Sequence, residues 1–199
     1  GEPGSAALDS PLYNLQGQKN ALQEQELDRK SALADVAEAL REAGARVEGW
    51  PLKSRGFSAV GKGVRRVYRR GRTGLRLVQK APTDGNFHEW RKSVKYLWYH
   101  ARLLEAAWPA MMGALSAELD VLGDALGAEH DLSDLRAVLS ERPELAGGES
   151  TLDPVMGLIG RRQEELRSGA LPLGARVYAE RPGAFVGRLH AYWGTAESR

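Results

Sequence analysis

Residues 56–80 read GFSAVGKGVRRVYRRGRTGLRLVQK, and this stretch decides the class of fold. At ~100° per residue, Val60, Val64, Val67, Gly71, Leu75 and Val78 fall on one side of a helix. Lys62, Arg65, Arg69, Arg72, Arg76 and Lys80 gather on the other, flanked by Arg66 and Arg70. An apolar stripe of helical period opposite a polar one predicts an amphipathic helix from about Gly56 to Lys80. Like charges one turn apart repel by a few tenths of a kcal/mol per pair. A run of stacked arginines is therefore favoured when an anion lies against it.

The segment that follows repeats the pattern. Pro82-Thr83-Asp84-Gly85 predicts a turn. Beyond it, Asn86 and Glu89 have the spacing of a capping box, with Asn in place of Ser or Thr. Residues 86–104, NFHEWRKSVKYLWYHARLL, then place Trp90, Val94, Leu97, Ala101 and Leu104 on one face and His88, Arg91, Lys92, Lys95, Tyr99 and Arg102 on the other. The short turn predicts that the two helices run antiparallel, so that their basic faces line one groove. The polar face is chemically varied. Arginine grips phosphate oxygens with a planar fork and lysine adds a mobile point charge. Histidine donates from a neutral ring and gains a second donor when protonated, while Tyr99 supplies a neutral hydroxyl.

The remaining chain also reads as helix, without alternating strand patterns. A first helix is predicted from Gln18 to Ala43, with Leu33, Val36, Ala37 and Leu40 in a stripe and Gly44 as its stop. A fourth is predicted from Pro109 to Leu126, interrupted at Gly127. Asp131 is read as the N-cap of a shorter helix, with His130 beside it. Residues 141–151 read as a polar loop. Helices are predicted from Asp153 to about Ser168 and over 170–180. Pro182 opens the last, with Phe185, Val186, Leu189, Tyr192 and Trp193 on its apolar face. The expected fold is all-α, an antiparallel helical bundle, with residues 1–17 as a loose leading segment and 18–199 as the folded domain.

Charge distribution points to the partner. The chain carries a net charge of only +2, but residues 53–102 hold fourteen Lys and Arg against Asp84 and Glu89, a net of +12, which leaves −10 for the rest. Such segregation favours a polyanionic ligand. The chain has no cysteine, which excludes disulfides and thiolate metal sites. It has no apolar run of the ~20 residues that span a bilayer and no leader pattern, so a soluble, cytoplasmic protein without membrane association is expected. No phosphate-binding loop or nucleophile elbow occurs, and no acidic cluster for a metal is seen beside the basic helices. His130, Asp131 and Asp134 are not read as a metal site. The reading is a binding module without catalytic residues, cofactor or metal, with nucleic acid a less favoured ligand because the basic faces offer few bases-reading groups.

At these residues the sequence resembles the CHAD family. The stretches that carry the resemblance are Gly63–Arg72, Phe87–His100, Leu126–Leu135, Arg161–Leu166 and Gly174–Glu180, within about residues 30–195. The resemblance implies a helical domain of two similar four-helix halves around a basic channel, and inorganic polyphosphate as ligand, with polyphosphate granules a further partner. Such domains often accompany triphosphate-cleaving tunnel enzymes, which keeps a phosphohydrolase role as an alternative. It also implies that His88, Arg91, Lys92, Lys95 and Tyr99 line the channel, joined by Arg65, Arg66, Arg69 and Arg72, with His130 as a further candidate. The helical wheel adds Arg76 and Arg102. The chain departs from the family pattern in having no earlier basic helix before residue 53. It therefore resembles the second half of the domain plus part of the first, and a homodimer is expected as one way to complete the channel.

Overall fold

Gly56, with φ at +58°, turns the chain into the first of the two basic helices; in this computed structural model, residue 19 and residues 30–51 and 54–197 are described. Among them are six α-helices, two short 3₁₀ turns and no strand. The helices are α1 (Lys30–Glu48), α2 (Phe57–Lys80), α3 (Asp84–Leu103), α4 (Pro109–Glu141), α5 (Glu149–Val177) and α6 (Pro182–Glu197), with 3₁₀ turns at Glu105–Ala107 and Pro143–Ala146. The all-α expectation holds. The leading segment 1–17 lies outside the described residues. No helix of the described residues is long and apolar enough to cross a membrane.

The chain divides into two compact units. One comprises residues up to Lys53 with Val138–Gly157, and the other comprises Ser54–Ala137 with Leu158–Arg199. In the first, α1 runs through Gly44 rather than stopping there, and Leu33, Val36 and Leu40 of its stripe are exposed. Residues 20–29 of the predicted first helix are outside the described set. Gly147 and Gly148 take positive φ, +88° and +102°, after the Pro143–Ala146 turn. Thr151 Oγ1 donates back to the carbonyls of Ala146 and Gly148, closing the turn that starts α5.

The second unit holds the basic helices. Gly63 of α2 meets His100 of α3, and Gly74 meets Trp90, so the two run antiparallel as expected. Buried along α2 are Phe57, Gly61, Val64, Tyr68, Gly71, Leu75 and Val78, and along α3 Phe87, Trp90, Ser93, Val94, Leu97 and Ala101. Tyr68 belongs to the core although the wheel did not single it out. Its ring stacks on Phe185 of α6 with centroids 4.0 Å apart, and its hydroxyl donates to the carbonyls of Val177 (3.1 Å) and Glu180 (3.3 Å). Burial, with the Glu180 charge nearby, pushes the phenol up to about 12, so it stays a neutral donor. Arg188 of α6 holds the Glu180 carboxylate at 2.5 Å, which secures the link from α5 to α6. The last helix buries Phe185 and Leu189, with Val186, Tyr192 and Trp193 half-buried, as its pattern predicts.

Further boundaries differ from expectation. Helix α3 starts at Asp84 because Thr83, not Asn86, is its cap: Thr83 Oγ1 accepts from the Asn86 N–H at 3.3 Å, while Asn86 Nδ2 donates to the Ala81 carbonyl at 2.8 Å. The same helix ends at Leu103. Helix α4 passes unbroken through Gly127, so Asp131 is mid-helix and not a cap. A helical glycine costs ~1 kcal/mol relative to alanine, and packing of Leu122, Leu126 and Glu129 on either side offsets it. Helix α5 likewise continues through Pro172, whose ring lies on the exposed side between buried Ala170 and Gly174.

Three glycines let the helices approach. A Cβ at Gly71 would lie 2.2 Å from Tyr178 Oη, and one at Gly174 2.5 Å from Trp90 Cζ2. A Cβ at Gly74 would lie 2.9 Å from Trp90 Cδ1, so the indole is slotted between two helices that must be bare at those points. Gly71→Ala and Gly174→Ala are each expected to lower stability by about 1–3 kcal/mol through overpacking. Gly85→Ala, where nothing lies within 4 Å, should be neutral or slightly stabilising. Urea unfolding followed by circular dichroism measures all three.

Candidate polyanion-binding site

The position of α3 is set at its first residue. Asp84 accepts from Arg167 of α5 through one carboxylate oxygen and from Arg136 of α4 through the other, with Ser133 Oγ adding a bond at 3.0 Å. Arg167 also donates to Glu129, from Nε at 3.0 Å, and to the Pro82 carbonyl at 3.2 Å, and its guanidinium lies over the Phe87 ring at 4.6 Å. Glu129 is only 1% exposed and takes a further bond from Gln163. An ionised carboxylate that deep is tolerated only when paired and hydrogen-bonded. Burial weakens the Arg167 cation, but the hydrogen bonds of Glu129 and Asp84 more than restore it. None of these residues is among the predicted site residues, because each looks like ordinary helix-surface charge until the helices are packed.

With α3 anchored, the predicted residues divide among three surfaces. On α2, Arg65, Arg66, Arg69, Arg70 and Arg76 are exposed. Arg65 leans toward Gly183 at the start of α6, and Arg76 donates to Thr73 Oγ1 at 3.2 Å. Arg72 is half-buried and donates from Nε to the Tyr178 carbonyl at 3.2 Å, so it helps dock the end of α5.

Between α2 and α3 lies a groove of about 290 Å³ lined by Arg69, Arg70, Thr73, Gly74, Leu77, Asn86, Glu89 and Ser93. Glu89 stands on its α3 edge and pairs with Lys92. The Lys92 hydrogen bond, with the Lys92, His88 and Arg70 charges around it, holds the Glu89 carboxyl below its ordinary range. One predicted ligand, Lys92, thus has an internal partner, and Arg70, read only as flanking, borders the groove. Lys95, Tyr99 and Arg102 of α3 are exposed.

The third surface is where α3 meets α4. His88 and His130 pack ring to ring at 4.3 Å, His88 Nδ1 is buried without a hydrogen-bond partner, and His130 Nε2 lies 3.6 Å from Asp134. Arg91 crosses α4 at Gly127, where a Cβ would stand 3.6 Å from its Nε. A cavity of about 440 Å³ opens there, lined by Arg91, Lys95 and Trp98 on one side and Asp120, Asp124, Gly127 and Asp131 on the other. Carboxylates therefore stand across this cavity from the basic helix. Asp120, Asp124 and Asp131 share one face of α4, a pattern hidden once Gly127 is taken as a break. Among the described residues no group of three His, Asp or Glu is arranged to hold a metal.

The model of the family described as CHAD domain matches residues 4–140. The chain belongs to the CHAD domain family. The match takes in α1, α2, α3 and nearly all of α4; the CHAD-like stretches Arg161–Leu166 and Gly174–Glu180 lie beyond it. No match was found among curated proteins or among solved structures.

The acid limb of stability tests the Asp84 anchor. Partial burial raises the Asp84 carboxyl, but the Arg167 and Ser133 hydrogen bonds and the Arg136 charge outweigh it and leave the group below its ordinary value. A carboxylate whose pKa is lower folded than unfolded contributes stability above the unfolded value, about 3.9, and loses it as pH falls through the folded one. Asp84→Asn should lower stability at pH 7 by about 1–3 kcal/mol, the cost of an unsatisfied buried donor, and flatten the decline below pH ~4. Thermal melts from pH 2 to pH 7 measure both.

Proposed function

We propose that this CHAD domain is a non-catalytic binding module for inorganic polyphosphate, held on the exposed basic face of α2 and α3. One observation carries this reading. Arg65, Arg66, Arg69, Arg70, Arg76, Lys95 and Arg102 form no ion pair among the described residues, whereas Arg136, Arg167 and Arg188, elsewhere in the same unit, are each paired. The positive charge left uncompensated is concentrated on two adjacent antiparallel helices. Successive turns along either helix are ~5.4 Å apart, so a linear chain of phosphates can be contacted repeatedly. Guanidinium forks suit phosphate oxygens, and Tyr99 adds a hydroxyl at the edge.

Binding is measured by titrating long-chain polyphosphate, tripolyphosphate and a single-stranded oligonucleotide at ~150 mM salt, where exposed charges are screened beyond ~8 Å. Long-chain polyphosphate is expected to bind most tightly. Arg66→Gln, Arg69→Gln and Lys95→Gln combined should weaken it at least tenfold and flatten the dependence of log K on log salt by roughly 2 units, by analogy with single-stranded nucleic acid, with the helical circular dichroism unchanged. Tight binding of the oligonucleotide alone would establish the nucleic-acid reading instead, and steady release of orthophosphate would establish a hydrolase. A second copy supplying another basic wall is testable by sedimentation: dimers that form or strengthen with polyphosphate support it, and a strict monomer at tens of micromolar with ligand rules it out.

A further inference from the structure

The cavity between α3 and α4 is lined by charges of both signs that do not close on one another. Arg91 and Lys95 stand on its α3 side, and Asp120, Asp124 and Asp131 on its α4 side. None of the five forms an ion pair among the described residues. The pairs made by α3 and α4 run instead through Asp84, Lys92, Glu129, Asp134 and Arg136. Elsewhere in the unit opposite charges that face each other do meet, as Arg188 meets Glu180. Here a space of about 440 Å³ lies between them.

The charges also alternate along the cavity. His88 packs on His130 and Arg91 on Gly127, which sets the antiparallel register of the two helices. In that register Asp120 is level with Trp98, Lys95 with Gly123, Asp124 with Val94, and Asp131 with Phe87, beyond Arg91. Along the axis the order is therefore carboxylate, cation, carboxylate, cation, carboxylate. At ~1.5 Å per residue, Lys95 and Arg91 are roughly 6 Å apart, as are Asp120 and Asp124. A bare polyanion entering this row meets three carboxylates and two cations, so net charge does not favour it. A ligand that repeats both signs along its length matches it. The Arg91 Nε is buried with no hydrogen-bond partner, and a buried donor left unpaired costs free energy that a ligand acceptor recovers.

We infer that this cavity takes a phosphate chain together with divalent cations bound to it, an inference that rests on the polyphosphate reading. Phosphate oxygens accept from Arg91 and Lys95, and Mg²⁺ carried between oxygens of the chain faces Asp120, Asp124 and Asp131. A polyamine would leave Arg91 and Lys95 without acceptors, and phosphate alone would be repelled by the carboxylates. Lys95 joins the two surfaces: it is one of the cations without an ion pair on the basic face, and it also lines the cavity. One chain can therefore lie on both. Magnesium beside phosphates is held by one or two carboxylates and phosphate oxygens, keeping several waters, rather than by an all-protein cage. No group of three protein ligands is needed for that, and among the described residues none is formed. All three aspartates are exposed, which leaves room for the water shell of the ion.

The test is titration of the full chain with long-chain polyphosphate at fixed ionic strength, with and without Mg²⁺ in the low millimolar range. On a surface of cations alone, Mg²⁺ competes for the phosphates and weakens binding. Here binding should strengthen instead, by about fivefold, the scale of one exposed charge pair. Asp120→Asn, Asp124→Asn and Asp131→Asn combined should strengthen metal-free binding and abolish the gain with Mg²⁺, an opposite-signed response that misfolding cannot produce. Arg66→Gln with Arg69→Gln, on α2 and outside the cavity, should weaken binding and keep the gain. If Mg²⁺ weakens binding to the unsubstituted chain, or if the gain survives in the triple aspartate variant, the inference is wrong. Mg²⁺ without polyphosphate should not bind at the same concentration; tight binding would make the aspartates a resident metal site and overturn the inference. Polyphosphate binding with no gain from Mg²⁺ sinks this inference alone, and no polyphosphate binding under either condition sinks the polyphosphate reading with it.

Discussion

Arg167 is the side chain on which the second unit turns. From α5 it reaches Glu129 in the middle of α4 and Asp84 at the first residue of α3, and it covers Phe87 in the core. Breaking such a pair by removing one partner leaves a charge in a place that cannot solvate it. The network therefore does more than add stability. Because Asp84 is held against Ser133 and Arg136, α3 enters the unit at one height and one rotation relative to α4. His88 then meets His130 and Arg91 meets Gly127. The chemistry at the α3–α4 contact follows from an anchor one turn earlier.

The distribution of paired and unpaired cations separates structure from ligand binding within one composition. Arg136, Arg167 and Arg188 hold carboxylates and position helices. Arg72, on the basic stripe by sequence, belongs with them, since it donates to the Tyr178 carbonyl. Exposed cations of α2 and α3 without a carboxylate partner form the face assigned to polyphosphate. Lys92 stands between the groups, paired with an exposed Glu89 that solvent screens and that a polyanion could displace. Surface pairs of this kind are screened by solvent and contribute little.

Local pattern was enough to read the helical class, the antiparallel pair α2–α3 and the apolar faces of α2, α3 and α6, because each of those faces packs against one side of its helix. It was insufficient where tertiary contact overrides local preference. Gly127 reads as a break, yet its bare backbone receives Arg91 and the helix continues. Asn86 reads as a cap, yet Thr83 does that work and Asn86 bonds backward to Ala81. Asp120, Asp124 and Asp131 read as unrelated surface acids until α4 is seen to be continuous. Tyr68 was passed over because arginines flank Val67 and Tyr68 on both sides, and its hydroxyl partners lie more than a hundred residues away. The basic face itself was legible, since charge clustering survives in one dimension. How it is shared among a groove, an open surface and a mixed-charge cavity depends on which helix lies on each flank of α3.

The glycines around Trp90 bear on more than packing. With Gly74 on one side of the indole and Gly174 on the other, α2 cannot slide along α3 by a turn: the ring would then meet Arg70 or Leu77 instead of bare backbone. The cations of α2 are thus held at set distances from those of α3, as teeth are on a comb. A flexible chain that binds to such a surface must do the adjusting itself. The ordering entropy of complex formation then falls on the ligand, and a longer chain, which can shift along the comb and engage it in several equivalent registers, regains part of what a short one loses.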